Sequence, residues 1–167
     1  MQEFTYKEMD DGSYCVMTYE GDEAEVKIPD TAGENGCITV LNDDLFKGHE
    51  EITSVTIPET VTDIGEFVFF GCKNLKQLQL PAGLQTLWGC TFTNCGLEEI
   101  ILPDGIKSIP SYCFMDCADL KRVVCGKGLT NVRAWAFGGC DALKELNTGT
   151  NNVRISPLAF EKRPIDR

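Results

Sequence analysis

The chain has 167 residues, 43% of them hydrophobic, with 26 acidic against 15 basic side chains and a formal charge of -11 at pH 7. Such a length supplies one domain core, and the charge argues against nucleic acid, which needs Lys and Arg clusters facing phosphate, and against anionic membrane surfaces. No run approaches the roughly 18 apolar residues of a membrane span, so direct membrane insertion is not expected either.

The N-terminal MQEFTYKEMDDGSY lacks the basic region and apolar core of a signal peptide. Two readings stay open: a cytosolic protein, or a mature or trimmed piece of an exported one. Phe4-Thr5-Tyr6 and the run from Tyr14 to Tyr19 are β-rich, and Asp10-Asp11-Gly12 between them is a turn signal. The spacing predicts a β-hairpin over residues 1–25 that covers one end of whatever core follows.

From Val26-Lys27-Ile28-Pro29 onward the chain rewrites one unit. Phenylalanines recur at Phe46, Phe69, Phe92, Phe114, Phe137 and Phe160, in steps of 23, 23, 22, 23 and 23. Eight residues before them stand Ile38, Val61, Leu84, Ile106, Leu129 and Asn152; five before stand Leu41, Ile64, Leu87, Ile109, Val132 and Ile155. Three after come His49, Cys72, Cys95, Cys117, Cys140 and Arg163, followed by an apolar triple such as Leu75/Leu78/Leu80. The alternation in Gln77-Leu78-Gln79-Leu80 makes that piece a strand with one buried face. Each coil is too small to bury its own apolar face and must stack on its neighbours, so the copies form a parallel sheet over a phenylalanine column.

The first coil carries six extra residues between its proline and its phenylalanine, within Asp30 to Cys37. This is read as a surface loop and a candidate contact site. In the regular coils a turn pair recurs at Glu59-Thr60, Ala82-Gly83, Asp104-Gly105 and Lys127-Gly128, and its glycines suggest a positive-φ position. Phe67, Trp88, Tyr112 and Trp135 sit where the copies differ most, and either line the convex side or bury between coils. The single 22-residue step reflects Asn94-Cys95-Gly96-Leu97, one residue shorter than its counterpart at Gly71 to Leu75. The sixth coil stops early: Asn152 breaks an aliphatic column, and the tail over residues 161–167 contains no further strand. Either that tail seals the core, the chain is cut from a longer protein, or a partner or second copy stacks on the open edge.

A period of 20 to 29 residues holding L-x-x-L-x-L marks a leucine-rich-repeat solenoid, here an α/β-type repeat solenoid of about six 23-residue coils over residues 26–160 with few or no regular helices. The copies read I-P-x-x-[VLI]-x-x-I-x-x-x-x-F-x-x-C-x-x-L-x-x-[IVL] and resemble the BspA-type leucine-rich repeats, common in surface proteins of host-associated bacteria and in some parasitic protists. The resemblance implies a right-handed solenoid, a cell-surface or secreted setting, and a binding or adhesive role toward a protein ligand that it does not identify.

Chemistry is sparse. The nine cysteines are odd in number and four of them sit in the repeat register, which makes Cys72, Cys95, Cys117 and Cys140 small apolar plugs. Cys90, Cys95, Cys113 and Cys117 have spacings tolerable for zinc, but the spacings follow from the repeat, and no metal or cofactor is expected. The acidic clusters at Asp10-Asp11, Asp22-Glu23-Glu25 and Asp43-Asp44 do not follow a calcium-loop spacing and read as solvated turns. His49, the one histidine, falls in the Cys register of the first coil, and no nucleophile, phosphate-loop or metalloprotease motif appears, so no catalytic residue is assigned. Candidate binding residues lie on the outward strand positions. One column is Ser54, Gln77, Glu99, Arg122 and Glu145, the other Thr56, Gln79, Ile101, Val124 and Asn147. Glu99, Arg122 and Glu145 alternate in sign, as cross-strand pairs do, and Ile101 beside Val124 forms a small apolar patch. The residues expected to meet a protein are Gln77, Gln79, Glu99, Ile101, Arg122, Val124 and Glu145.

Overall fold

In a computed structural model the described residues are 1–162, and they form a stack of six coils with strands and turns and no helix among them. The N-terminal segment folds as the expected hairpin, β1 (Glu3–Glu8) antiparallel to β2 (Tyr14–Glu20), with a bulge between Thr5 and Tyr6. It lies against the first coil: β2 pairs in parallel with the strand Gly36–Leu41, and the Tyr19 ring meets Phe46 edge-on at 5.2 Å with Phe4 behind it. His49 takes part in the same packing, 5.2 Å from the Tyr19 ring and bonded through Nδ1 to Glu51.

The first coil contains β3 (Glu25–Lys27), β4 (Thr31–Ala32) and β5 (Gly36–Leu41). Its insertion is not an irregular loop. Thr31 and Ala32 pair antiparallel with Cys37 and Gly36, so the six extra residues close as a short hairpin around Gly33, at φ +67°. Gly36 is required there because a Cβ would stand 2.3 Å from the Ala32 carbonyl and 2.8 Å from the Tyr14 ring.

Each later coil contributes two strands. The apolar triples give β6 (Ser54–Thr56), β8 (Gln77–Gln79), β10 (Glu99–Ile101), β12 (Arg122–Val124) and β14 (Glu145–Asn147). The aliphatic columns before the phenylalanines, which the sequence marks only as core, form a second series of two-residue strands. They are β7 (Asp63–Ile64), β9 (Thr86–Leu87), β11 (Ser108–Ile109), β13 (Asn131–Val132) and β15 (Arg154–Ile155). Each of these pairs in parallel with the equivalent strand of at least one neighbouring coil, because one coil returns the chain to the same direction.

The phenylalanine column is the core. Phe46, Phe69, Phe92, Phe114 and Phe137 are at most 1% exposed and stack ring on ring at 5.2 to 5.6 Å. The planes are 2° to 3° apart through the middle of the stack and 22° and 18° apart at its two ends. Around every ring the backbone alternates handedness. Two residues before the rings, Asp44, Phe67, Cys90, Tyr112 and Trp135 have φ of 59° to 62°, and two residues after, Gly48, Gly71, Asn94, Asp116 and Gly139 have φ of 55° to 79°. This alternation aims the ring residue's N–H at the next coil: Phe46, Phe69, Phe92, Phe114 and Phe137 donate to Val68, Thr91, Cys113, Ala136 and Ala159 at 2.8 to 2.9 Å. The third arc of the solenoid is therefore a hydrogen-bonded ladder without being a sheet. The glycines of the turn pairs play a different part from the one expected. Gly83, Gly105 and Gly128 are not at positive φ; a Cβ on Gly105 or Gly128 would instead stand 2.5 Å from the Leu84 carbonyl or 2.0 Å from the Asp104 carbonyl of the preceding coil.

The strand series are not continuous. Both break between the third and fourth coils, so β3-β6-β8 and β10-β12-β14 are separate sheets, as are the sheet ending in β9 and β11-β13-β15. At other junctions one carbonyl receives two N–H groups, Lys76 and Gln77 on Thr53, Lys121 and Arg122 on Glu98, Lys144 and Glu145 on Lys121. Among the described residues no backbone N–H of the fourth coil reaches the Lys76 carbonyl. Two sequence features coincide here. Asn94 to Leu97 is one residue short, which draws Gly96 so close that a Cβ would stand 2.0 Å from the Lys73 carbonyl. Pro110 also occupies the place where Trp88 and Arg133 donate to Ile64 and Ile109, and it has no N–H to give. Only the phenylalanine arc crosses this seam intact, through Phe92 to Cys113 and Asn94 to Met115, both 2.8 Å.

Candidate binding face

The outward strand positions fall in register as the alternation requires: Glu99 beside Arg122 beside Glu145, and Ile101 beside Val124 beside Asn147. Arg122 binds both neighbours, its Nη1 2.6 Å from Glu99 Oε1 and its Nε 3.0 Å from Glu145 Oε2. The two carboxylates, Glu145 foremost, hold the guanidinium charge more firmly than usual. These pairs are exposed and satisfy one another, so they give the face a fixed pattern of charge more than stability. Gln77 and Gln79 also point outward and are exposed, but they belong to β8 on the other side of the seam.

The seam gives this face its relief. Leu78, Gln79 and Leu80 form one bank and Glu99, Ile100, Ile101 and Pro103 the other of a groove of about 540 Å³. Ile101 stands on its rim with 61% of its surface exposed, and Val124 next to it is half-buried. Of the apolar patch read from the sequence, Ile101 lines this apolar cleft, and Val124 stands beside it on the next strand. Leu78, Leu80 and Pro103 were not assigned to it, since their periodic positions read simply as core and strand end. The signal was the 22-residue step, which marks where neighbouring strands fail to pair. Lys76 bridges the same seam, with Nζ 2.6 Å from the Gly96 carbonyl, 3.2 Å from Asp119 and 3.7 Å from Glu98.

The convex aromatics divide. Tyr112 and Trp135 stack at 5.3 Å with planes 4° apart, and Phe67 packs against Phe70 under the Lys47 ammonium, 4.8 Å from its ring centre. All three are half-buried between coils, whereas Trp88 is 52% exposed. In the cysteine column Cys72, Cys95 and Cys117 are buried and Cys140 is half-buried, and Cys72, Cys117 and Cys140 Sγ donate to the Phe46, Phe92 and Phe114 carbonyls of the preceding coil at 2.9 to 3.1 Å. Desolvation pushes the Cys72, Cys113 and Cys117 thiols well up and Cys95 to about 12, which suits an inert filler rather than a nucleophile. All nine cysteines are free thiols, and among the described residues no group of three or more His, Cys, Asp or Glu side chains is placed to hold a metal ion. The register position of Arg163 and the tail beyond residue 162 lie outside the described residues.

A coil of this period, a strand triple, and a ring column followed by a cysteine define the class, a leucine-rich-repeat solenoid. The BspA type leucine rich repeat region matches residues 39–165 in six copies. The chain belongs to that family. Among solved structures, it resembles a leucine-rich repeat protein of Treponema pallidum, at 25% identity over 91% of this chain and 82% of that one, with a TM-score of 0.71. A leucine-rich repeat protein of Bacteroides ovatus is similar at 25% identity over 86% of this chain and 45% of that one, with a TM-score of 0.65. A leucine-rich cell surface protein of Faecalibacterium prausnitzii shares the fold at 20% identity over 90% of this chain and 55% of that one, with a TM-score of 0.60. The chain spans about half the length of these last two proteins. A comparison with curated protein sequences finds no match.

Proposed function

We propose that this solenoid is a non-enzymatic binding module that recognises a protein ligand through its strand face, in an adhesive role on a host-associated bacterium. The observation that carries the reading is Ile101, 61% exposed on the first strand past the seam and set on the rim of an apolar groove. A solvated scaffold gains nothing from a large aliphatic side chain at that position, whereas an apolar anchor ringed by fixed polar groups is how protein interfaces are built. Glu99, Arg122 and Glu145 supply the ring on one side, and Gln77 and Gln79 on the other. Membership of a bacterial repeat family supports the setting, and the net charge of -11 favours a partner that is not itself strongly acidic.

The test is capture of proteins from host extracellular matrix by the wild-type chain and by an Ile101→Lys/Val124→Glu double variant whose fold is checked by circular dichroism. A protein retained by the first and released by the second supports recognition on this face. Equal retention by both would move recognition to the Thr31–Cys37 hairpin or to Trp88, and retention of nothing would remove the adhesive reading.

A further inference from the structure

We propose that the second series of strands, around Trp88, binds a neutral oligosaccharide. Trp88 donates its N–H to the Ile64 carbonyl and so continues β9, two positions beyond Thr86 and on the same face. Its side chain is 52% exposed, and among the described residues no other ring and no ammonium stacks on it. The equivalent positions of the other coils hold Asn42, Gly65, Pro110, Arg133 and Ser156, so the stack does not require a large ring there. Gly65 on one side and Pro110 across the seam on the other are too short to cover the indole. An apolar platform thus stands free in a polar face.

Beside the platform the seam opens a groove of about 640 Å³, distinct from the one that Ile101 borders and within the range of roughly 300–1,000 Å³ common for small-ligand sites. Gln85, Thr86 and Leu87 line one bank, and Gly105, Lys107 and Ser108 the other. Because β9 and β11 do not pair, among the described residues no N–H reaches the Gln85 and Leu87 carbonyls. Their equivalents are occupied: the Thr62 and Lys107 carbonyls each receive two N–H groups from the next coil, and the Ile64 and Ile109 carbonyls one each. The side chains of Gln85, Thr86 and Lys107 also make no hydrogen bond among the described residues.

The ligand class follows from this mixture. Two backbone acceptors stand beside the donors of the Gln85 amide, the Thr86 hydroxyl and the Lys107 ammonium, and a sugar hydroxyl serves both kinds at once. A pyranose ring also has a face of C–H groups that an exposed indole covers while the hydroxyls reach the polar rim. A peptide strand fits less well, since β9 offers an edge only two residues long. Charge disfavours sulfated or carboxylated glycans: Lys107 is the one cation lining the groove, Asp63 lies beside Thr86 in the sheet, and the chain carries -11.

A glycan array bearing neutral and acidic oligosaccharides, followed by calorimetric titration with the best neutral one, tests the proposal. The wild-type chain is expected to retain neutral oligosaccharides. Trp88→Ala, at an exposed position, is expected to weaken binding about tenfold or more with an unchanged melting temperature. Lys107→Ala, also exposed, is expected to weaken it as well, and replaces Trp88→Ala if that variant melts early. The Ile101→Lys/Val124→Glu variant binds the sugar like wild type, which keeps this site apart from recognition on the strand face. Retention of no neutral oligosaccharide overturns the proposal, as does retention of acidic ones alone, affinity unchanged in both groove variants, or loss of the sugar in the strand-face variant.

Discussion

The rings of Phe69 and Phe92 lie 5.4 Å apart with planes 2° from parallel, and each residue also passes its N–H to the next coil. Ring stack and backbone ladder therefore depend on the same residues. Phe92→Ala is expected to cost on the order of 3–5 kcal/mol, the range for emptying a buried aromatic site. Phe160→Ala, with half its ring surface in solvent, is expected to cost distinctly less. Urea unfolding of the two variants checks the order, and equal losses would contradict a column whose contribution comes from burial on both faces.

The left-handed positions offer a paired test. Gly71 has φ +75°, and a Cβ there would meet nothing closer than 3.6 Å, so Gly71→Ala isolates the backbone and is expected to cost roughly 1–2 kcal/mol. Asp116, at φ 58° in the equivalent place and exposed, pays that strain already. Asp116→Gly is expected to raise the melting temperature by about 2–4 °C, the shift that about 1 kcal/mol gives in a chain of this size. The two melting curves should move in opposite directions.

Exchange of amide hydrogens should map the seam. The N–H groups of Lys121 and Lys144 are bonded to Glu98 and Lys121, while the fourth coil has no such bond to Lys76 among the described residues. Glu98 and Glu99 amides are expected to exchange faster than Lys121, Arg122, Lys144 and Glu145. Equal protection of these six amides would mean that the two sheets behave as one.

Alkaline pH should weaken the fold through the thiols. Burial raises Cys95 to about 12 and Cys125 to about 11, and raises Cys113 and Cys117 well above the value near 9 of a free thiol. Below that value the thiols are neutral in both states and their contribution is intact. Above it the unfolded chain ionises while the folded chain does not, so stability falls as pH climbs toward the folded values. The urea midpoint is expected to drop between pH 8 and 10, less steeply in Cys95→Ala. In the native state at pH 8 a thiol reagent should label exposed Cys37 first and the Cys72, Cys95 and Cys117 column only on unfolding.

Much of the architecture is legible in residue spacing, because stacking forces equivalent side chains into columns. The phenylalanines, the aliphatic pairs and the sign alternation at Glu99, Arg122 and Glu145 all land in register for that reason. What stays hidden is backbone geometry that side chains do not advertise. Phe67, Tyr112 and Trp135 give no hint of left-handed φ, since sterics alone would place glycine there; the ladder to the next coil imposes it. Gly105 and Gly128 look like positive-φ turns and are instead points of close approach between coils. The seam is half legible: the missing residue near Gly96 and the proline at 110 are visible, but their coincidence on one junction becomes apparent only when the coils are stacked.

That junction also bears on how a ligand would be read. With strand pairing lost on two of its three arcs, the junction is expected to bend more readily than its neighbours, as a hinge between two plates of three coils each. A ligand held only by Ile101, Val124 and Arg122 rests on one plate and is indifferent to the angle. One that also engages Gln77 or Gln79 must fix the angle between plates, and part of its binding energy goes into stiffening the joint. Partners that span the seam would thus leave a mechanical signature, a solenoid harder to bend, that partners on either plate alone would not.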